Sequence, residues 1–312
     1  MMKILVSGGT GLIGRLLVQD MAGDGHDVVV LSRSPEKYVD MFGENVRLVY
    51  WDGRSAGDWA SYIDGADVVV NLAGESISGS GFLPDRWSAE KKQRILESRL
   101  AAGEALVKSV EAADNRPVVM IQASAVGYYG STGDTLITES SAHGDDFLAS
   151  VTIDWEASTE AVEAMGVRRA IARIGLVLST EDGALPRLLV PSRLLAGGWF
   201  GSGRQWWPWI HIDDTIRALR FLIENEAAKG PYNVTAPNPV TNRDFGKALG
   251  RSLGRPSAIP VPAFALRTAL GEVASTVLEG QRAAPQRLQE LGFTFHYVDI
   301  DTALNDLVNG AG

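Results

Sequence analysis

The stretch "VSGGTGLIGRLL" (residues 6–17) decides the fold. Gly8, Gly11 and Gly14 recur every third residue, just after an apolar run and just before a helix-compatible one. Glycine at 8 suits a tight turn, and glycine at 11 lets backbone approach a pyrophosphate. Glycine at 14 lets the helix pack close on the strand. The turn that also holds Thr10, Leu12 and Ile13 then offers free N–H groups and a positive dipole end to phosphate. Such a triplet alone is a weak signal, and its place between strand and helix gives it meaning. A dinucleotide site is expected here; a merely structural glycine turn is the alternative.

Outward from this turn, apolar runs recur: "KILVSG" (3–8), "DVVVLSR" (27–33), "VRLVYWD" (46–52), "DVVVNLAG" (67–74), "PVVMIQAS" (117–124) and "RRAIARIGLVL" (168–178). They are rich in Val and Ile and lack polar alternation, which suits strands buried on both faces of a parallel sheet. Helices are expected between them. One spans about 87–112, with Leu96, Leu100, Gly103, Val107 and Val110 on one face; another spans 151–165, ending near Gly166. The fold class is therefore α/β, a Rossmann-type doubly wound parallel sheet. Beyond residue 180 the texture becomes loop-rich, then mostly helical. The expected division is a dinucleotide-binding domain over 1–180, with sheet-completing segments from 205–235, and a smaller C-terminal substrate region over 181–312.

Net charge is −9, from 29 Lys and Arg against 38 Asp and Glu, which disfavours nucleic-acid and anionic-membrane partners. An anionic ligand would need a local basic group. The absence of cysteine excludes thiolate metal sites and a cysteine nucleophile, and no metal site is expected. The N-terminus has no signal-peptide layout and no apolar run approaches the roughly 20 residues of a membrane span, so a cytoplasmic, soluble protein is expected.

The second strand ends in Leu31, Ser32, Arg33 and Ser34, where an acidic residue would bind a ribose 2′-hydroxyl. Arg33 can instead pair with a 2′-phosphate, with Ser32 and Ser34 as donors, so NADP(H) is the expected cofactor. A solvated loop arginine is the plainer reading. Asp52 ends the third strand, where adenine would lie. "NLAGE" (71–75) ends the fourth, and its Leu72, Ala73, Gly74 and Glu75 would let the cofactor approach closely. Asn71 reads equally well as a satisfied strand-end polar group.

Together these residues resemble the extended short-chain dehydrogenase/reductase superfamily, and most of all its atypical "epimerase family" branch. The markers are "GGTGLIG", "LSR", "NLAGE", "SR" (98–99), "SAVGYYG", "WE" (155–156), "RIGLVL", "WIHIDD" and "GQRAAPQRLQELGFTF", spread over almost the whole chain. The resemblance implies an NADP(H)-dependent oxidoreductase or epimerase of unknown substrate, and adds Ser98 and Gly175 to the cofactor-facing residues. It also implies a Ser/Thr, a Tyr and a Lys four residues later. Alignment on "WE" puts the tyrosine position at Leu148 and the lysine position at Thr152, and Ser98 fills the asparagine position. Leucine has no proton to give, and threonine has no charge with which to lower a tyrosine pKa or grip the nicotinamide ribose. Ser124 falls at or beside the Ser/Thr position. Tyr129 reads as a wall of the substrate cleft, so the catalytic candidates are Ser124 and Tyr129.

Other proton donors are Tyr128, His143, Lys92 and Arg99. His143 reads as a surface histidine in an acidic loop, and Lys92 and Arg99 as a solvated helix face or an anion-holding pair. His211 reads as the anchor of a turn capped by Asp213. Trp206, Trp207 and Trp209 could line a pocket or simply pack. Loss of the Tyr–Lys pair leaves a second reading open, a non-catalytic NADPH-responsive binding protein, and a third, a structural relic of a nucleotide fold. A homodimer through the long helices is what superfamily habit suggests.

Overall fold

In the computed structural model, which describes residues 1–310 apart from 80 and 82, seven strands form one parallel sheet. They are β1 (Lys3–Ser7), β2 (Asp27–Ser32), β3 (Val46–Tyr50), β4 (Val68–Asn71), β5 (Val119–Ala125), β6 (Arg168–Ile174) and β7 (Gly230–Val234). Their order is β3-β2-β1-β4-β5-β6-β7, so the winding reverses between β1 and β4. This is the doubly wound α/β order with one strand added beyond β6. The longer helices are α1 (Leu12–Gly23), α2 (Ala89–Ala112), α3 (Phe147–Ala157), α4 (Ala184–Arg193), α5 (Ile212–Glu224), α6 (Asn242–Leu253), α7 (Ala263–Leu270) and α8 (Ile300–Asn309). Among the described residues no helix is long and apolar enough to cross a membrane.

Strand alternation divides the core. Ile4, Val6, Val28 and Val30 pack with Leu17, Val18 and Met21 of α1 and with Leu219 and Leu222 of α5. Leu5, Val29, Leu31 and Met120 point the other way, against Ala102, Ala105, Leu106 and Val110 of α2. Both faces are covered, which is why the strands read as continuous apolar runs. A third core holds Trp207, Trp209, Phe245, Leu249, Ile300 and Leu304 of the C-terminal region.

Three expectations need correction. The 168–178 run is two strands, because Leu176–Leu178 leaves the main sheet and pairs with Trp209–His211. The break is at Gly175, where a Cβ would lie 2.2 Å from the Pro208 carbonyl oxygen. The expected helix over 151–165 begins earlier, behind the Asp146 cap, and stops at Ala157, with a separate turn at Ala161–Ala164. There the Ser158 hydroxyl donates back to the Trp155 carbonyl. On α2 the buried stripe is rotated: Lys91, Ile95, Ala102, Leu106 and Val110 are buried, whereas Leu96, Leu100 and Val107 are half-buried. Gly103 sets this rotation, since a Cβ there would meet Ser158 Oγ at 2.1 Å. Residues after 181 add β7 and α5, and Leu288, Phe293 and Phe295 also join the first core.

Candidate functional site

The glycine turn has the geometry its spacing implies. Gly8 has φ +73° and accepts the Gly11 amide at 3.1 Å; a Cβ on it would lie 2.6 Å from the Leu72 carbonyl. Gly14 sits on the turn itself, where a Cβ would lie 2.3 Å from the Gly8 oxygen. Gly11 differs: a Cβ there would meet only the Gly8 oxygen, at 3.5 Å, so its outer side is open. Gly11 is also the N-cap of α1, and no side chain satisfies the first amides of the helix. Thr10, Leu12 and Ile13 flank this opening and are part-exposed. The first amides of α1 thus have no side-chain cap beside an open Gly11, which fits a pyrophosphate.

At the end of β2, Arg33 is exposed and makes no ion pair among the described residues, with its Cδ beside Gly53. Ser32 is buried and its Oγ accepts the Ser34 amide at 3.2 Å. Asp52 is busy with its own turn, accepting the Arg54 and Ser55 amides and the Ser55 hydroxyl, and these bonds hold its carboxyl below the usual range. Across the switch point, Ser7 Oγ donates to Asn71 Oδ1 at 2.7 Å, and Asn71 Nδ2 donates to Gln122 Oε1 at 2.9 Å. Asn71 is therefore a satisfied strand-end group that ties β1, β4 and β5 together.

The loop after β4, holding Leu72, Ala73, Gly74 and Glu75, rests on α2. The Glu75 amide donates to Ser98 Oγ at 3.0 Å, and Lys91 Nζ lies 3.1 Å from Glu75 Oε1. Arg99 Nη1 donates to the Glu75 carbonyl at 3.1 Å and to the Ile95 carbonyl at 2.8 Å. Its guanidinium stacks 4.7 Å over the Trp155 ring, and burial pulls its pKa down to about 10. Lys92 points elsewhere, pairing with Glu272.

Ser124 and Tyr129 do come together, but in a closed network. Ser124 Oγ donates to Glu156 Oε1 at 2.6 Å, and Arg173 grips both Glu156 oxygens at 2.8 Å. Arg173 Nη1 donates to the Tyr129 hydroxyl at 3.0 Å, which itself donates to Asn233 Oδ1 at 2.7 Å. Burial opposes the Arg173 charge, but bonding and attraction from Glu156 outweigh it and push its pKa up. Burial pushes the Tyr129 hydroxyl up to about 12 despite Arg173. Tyr129 is 2% exposed, so it lies behind the surface expected of a cleft wall; Tyr128, whose ring lies against Arg173, is the half-buried one. Thr152 is turned inward, donating to the Leu148 and Ala149 carbonyls.

The remaining candidates are structural in placement. His143 is exposed and packs edge-on to Tyr128. His211 is itself the cap of α5, accepting the Asp213 amide at 3.1 Å, so the cap role expected of Asp213 is reversed. Trp207 and Trp209 are core residues, whereas Trp206 is half-buried with Arg282 stacked 4.5 Å over it.

Reading by motif leaves Glu156, Arg173, Asn233 and Glu139 without roles. One signal announces a partner without naming it: an arginine inside the apolar strand "RRAIARI" requires a buried anion. Glu139 is 6% exposed and accepts the Asn233 and Arg287 amides, clamping β7 to the turn at Gln286–Glu290. Burial raises its pKa against those bonds, and its Oε2 has no partner. A raised acid is favoured by folding only while protonated, so its contribution is full below the ordinary value of 4.5 and is lost as pH rises through the folded value. Glu139→Gln should therefore gain on the parent protein as pH rises from 4.5 to 8, read by urea unfolding; a pH-independent difference would remove this account.

Two family models cover the chain: the NAD dependent epimerase/dehydratase family over residues 4–235, and a domain of unknown function, DUF1731, over 261–307. The epimerase family protein YfhF of Bacillus subtilis is 41% identical over 308 residues, covering 98% of both chains. A chloroplastic epimerase family protein SDR39U1 homolog of Arabidopsis thaliana is 40% identical, covering 98% of this chain and 87% of its own. The crystal structure of human epimerase family protein SDR39U1 (isoform 2) with NADPH superposes with TM-score 0.87 at 32% identity, covering 98% of this chain and 99% of the human one. The chain that couples an open glycine turn to a closed Ser124–Glu156–Arg173–Tyr129 network therefore belongs to the NAD dependent epimerase/dehydratase family, in its epimerase family protein branch.

Proposed function

We propose that the protein binds NADP(H) across the crevice at the β1/β4 switch point and uses it in oxidoreductase or epimerase-like chemistry on a small molecule. The observation that carries this is the Gly8–Gly14 turn, which leaves the first amides of α1 open. Arg33, exposed and without an ion pair among the described residues, would hold the 2′-phosphate, with Ser32 beside it. The NADPH of the human relative supports the same reading. When bound, the nicotinamide supplies the hydride chemistry, and this chain's residues bind, orient and exclude water. Leu148 and Thr152 stand where the usual acid and its lysine would be, and Tyr129 is sealed in its network. The proton is then left to substrate or water.

Tryptophan-to-NADPH energy transfer tests the cofactor directly. NADPH should bind more tightly than NADH. Arg33→Ala should weaken NADPH about 10- to 100-fold, the worth of losing a charge-assisted bond, and leave NADH nearly unchanged. Equal losses for both would show that Arg33 does not read the phosphate.

The absent acid favours a second reading, an NADPH-responsive binding protein without turnover. Oxidation of NADPH with a panel of carbonyl compounds supports the enzyme; an NADPH-dependent partner with no turnover supports the second.

A further inference from the structure

The net charge of −9 counts against an anionic partner only as a sum, and the charges are not evenly spread. Residues 183–212 hold Arg187, Arg193 and Arg204, and residues 245–271 hold Lys247, Arg251, Arg255 and Arg267. Neither stretch contains an Asp or a Glu, and the rest of the chain, with 22 cations against 38 acids, carries −16. The fold joins the two stretches. Gly197 bridges Ser257 and Phe200 bridges Val261, and the Ile259 amide donates to the Gly197 carbonyl at 3.2 Å. Helix α6 lies so close that a Cβ on Gly250 would stand 2.7 Å from that of Ser257. Lys247, Arg251 and Arg255 line one cavity beside Ser257. Arg251 is matched by Asp301 of α8, whereas Arg193, Lys247 and Arg255 are exposed and make no ion pair among the described residues. Asp244, the acid of α6, lies in its first turn and accepts from Thr241.

Beside these cations, large apolar side chains face solvent. Leu194 and Phe264 are each 74% exposed, Ile259 is 54% exposed and Leu195 50%. Leu195 comes just after the Leu194 cap of α4, where a left-handed residue ends a helix and glycine is the ordinary choice. Its φ is +63°, and among the described residues no other non-glycine residue has a positive φ. A leucine there bears the strain of its Cβ and, half exposed, recovers little by burial. Side chains as exposed as Leu194 and Phe264 project from the surface and do not line a groove. A peptide laid on them would be held from one side only. A second copy set against this face through a two-fold axis would bring cations onto cations. A lipid surface receives such side chains directly, with basic stems lying along it and their charges among the headgroups.

We propose that this face of the C-terminal region docks on an anionic lipid surface. Leu194, Leu195, Ile259 and Phe264 enter the boundary between headgroups and acyl chains, and Arg193, Lys247 and Arg255 meet the headgroup phosphates. The acidic remainder of the protein is turned away, and charges more than about 8 Å from the lipid are largely screened at physiological salt. Docking of this kind is peripheral, needs no spanning helix and does not depend on the cofactor reading.

The test is cosedimentation with vesicles of phosphatidylcholine alone, and of phosphatidylcholine and phosphatidylglycerol in equal parts. Heparin serves as a polyanion without an apolar layer. The protein should sediment with the anionic vesicles and stay behind with the neutral ones. Raising salt from about 0.1 M to about 0.5 M should release most of it, since the screening length falls by roughly half. Lys247→Glu with Arg255→Glu should weaken the association at least about tenfold, each cation near such a surface being worth about fivefold. Leu194→Gln with Ile259→Gln should weaken it by a similar factor of about ten. All four positions are exposed, so thermal melts and NADPH affinity should match those of the parent. No sedimentation with anionic vesicles, equal sedimentation with neutral ones, or variants that sediment like the parent would overturn the proposal. Binding to heparin without binding to vesicles overturns it as well, in favour of an acidic protein surface.

Discussion

Glu156→Ala should cost about 3 to 5 kcal/mol of folding stability, because it strands the Arg173 charge in the interior. Glu156 accepts from Arg173 through both oxygens and from Ser124, and Arg173 is 4% exposed. No water can replace the lost carboxylate without entering between β6, α3 and the turn at Val126–Tyr129. Arg173→Met alone leaves Glu156 equally stranded. The double variant should be much less damaged than the sum, since it removes both charges together. Urea unfolding of the two singles and the double decides this. A double variant as unstable as the summed singles would mean that the pair holds the fold by shape and not by charge.

The second large effect separates two glycines of one turn. Gly14→Ala should lose both stability and NADPH binding, since its methyl would be forced onto the Gly8 carbonyl and the Gly9 Cα at 2.7 Å. Overpacking of this kind costs about 1 to 3 kcal/mol, and the displaced turn would no longer present α1 to phosphate. Gly11→Val should keep the fold, because its backbone, at φ −77° and ψ 172°, suits valine and the space around it is open. Its side chain would fill the opening and weaken NADPH by about 100-fold or more, on the order of 3 kcal/mol. Calorimetric melts with NADPH titrations check both variants. If Gly11→Val binds NADPH normally, the opening at α1 is not where the pyrophosphate lies.

The contrast also explains what the sequence made readable. The turn, the strands and their parallel order were legible because they are written locally: glycines at fixed spacing, and apolar runs that only two-sided burial explains. The exposed place of Arg33 just after β2 was legible for the same reason. The buried network was not, because Tyr129 and Asn233 meet across 104 positions and Arg173 and Glu156 across 17. Nothing in either neighbourhood says which partner the other will find. The turn around Asp52 was not legible either: its carboxylate accepts two amides and a hydroxyl within three residues. The stripe on α2 failed through packing, since the heptad-like leucines were out-competed by small residues that let α2 approach α3.

The late arrival of Leu288, Phe293 and Phe295 in the first core bears on synthesis. The chain emerges from the ribosome with β1 to β6 made long before these three side chains exist, and the strand at Arg282–Ala283 that pairs with Leu136–Ile137 comes equally late. A nascent chain stopped near residue 235 would hold every strand of the sheet, yet expose the apolar surface of α5 that Phe293 covers through Phe221. Closure of that core therefore waits on residues 288–295, and a product cut short of them would be a client for chaperones and proteases rather than a smaller working domain.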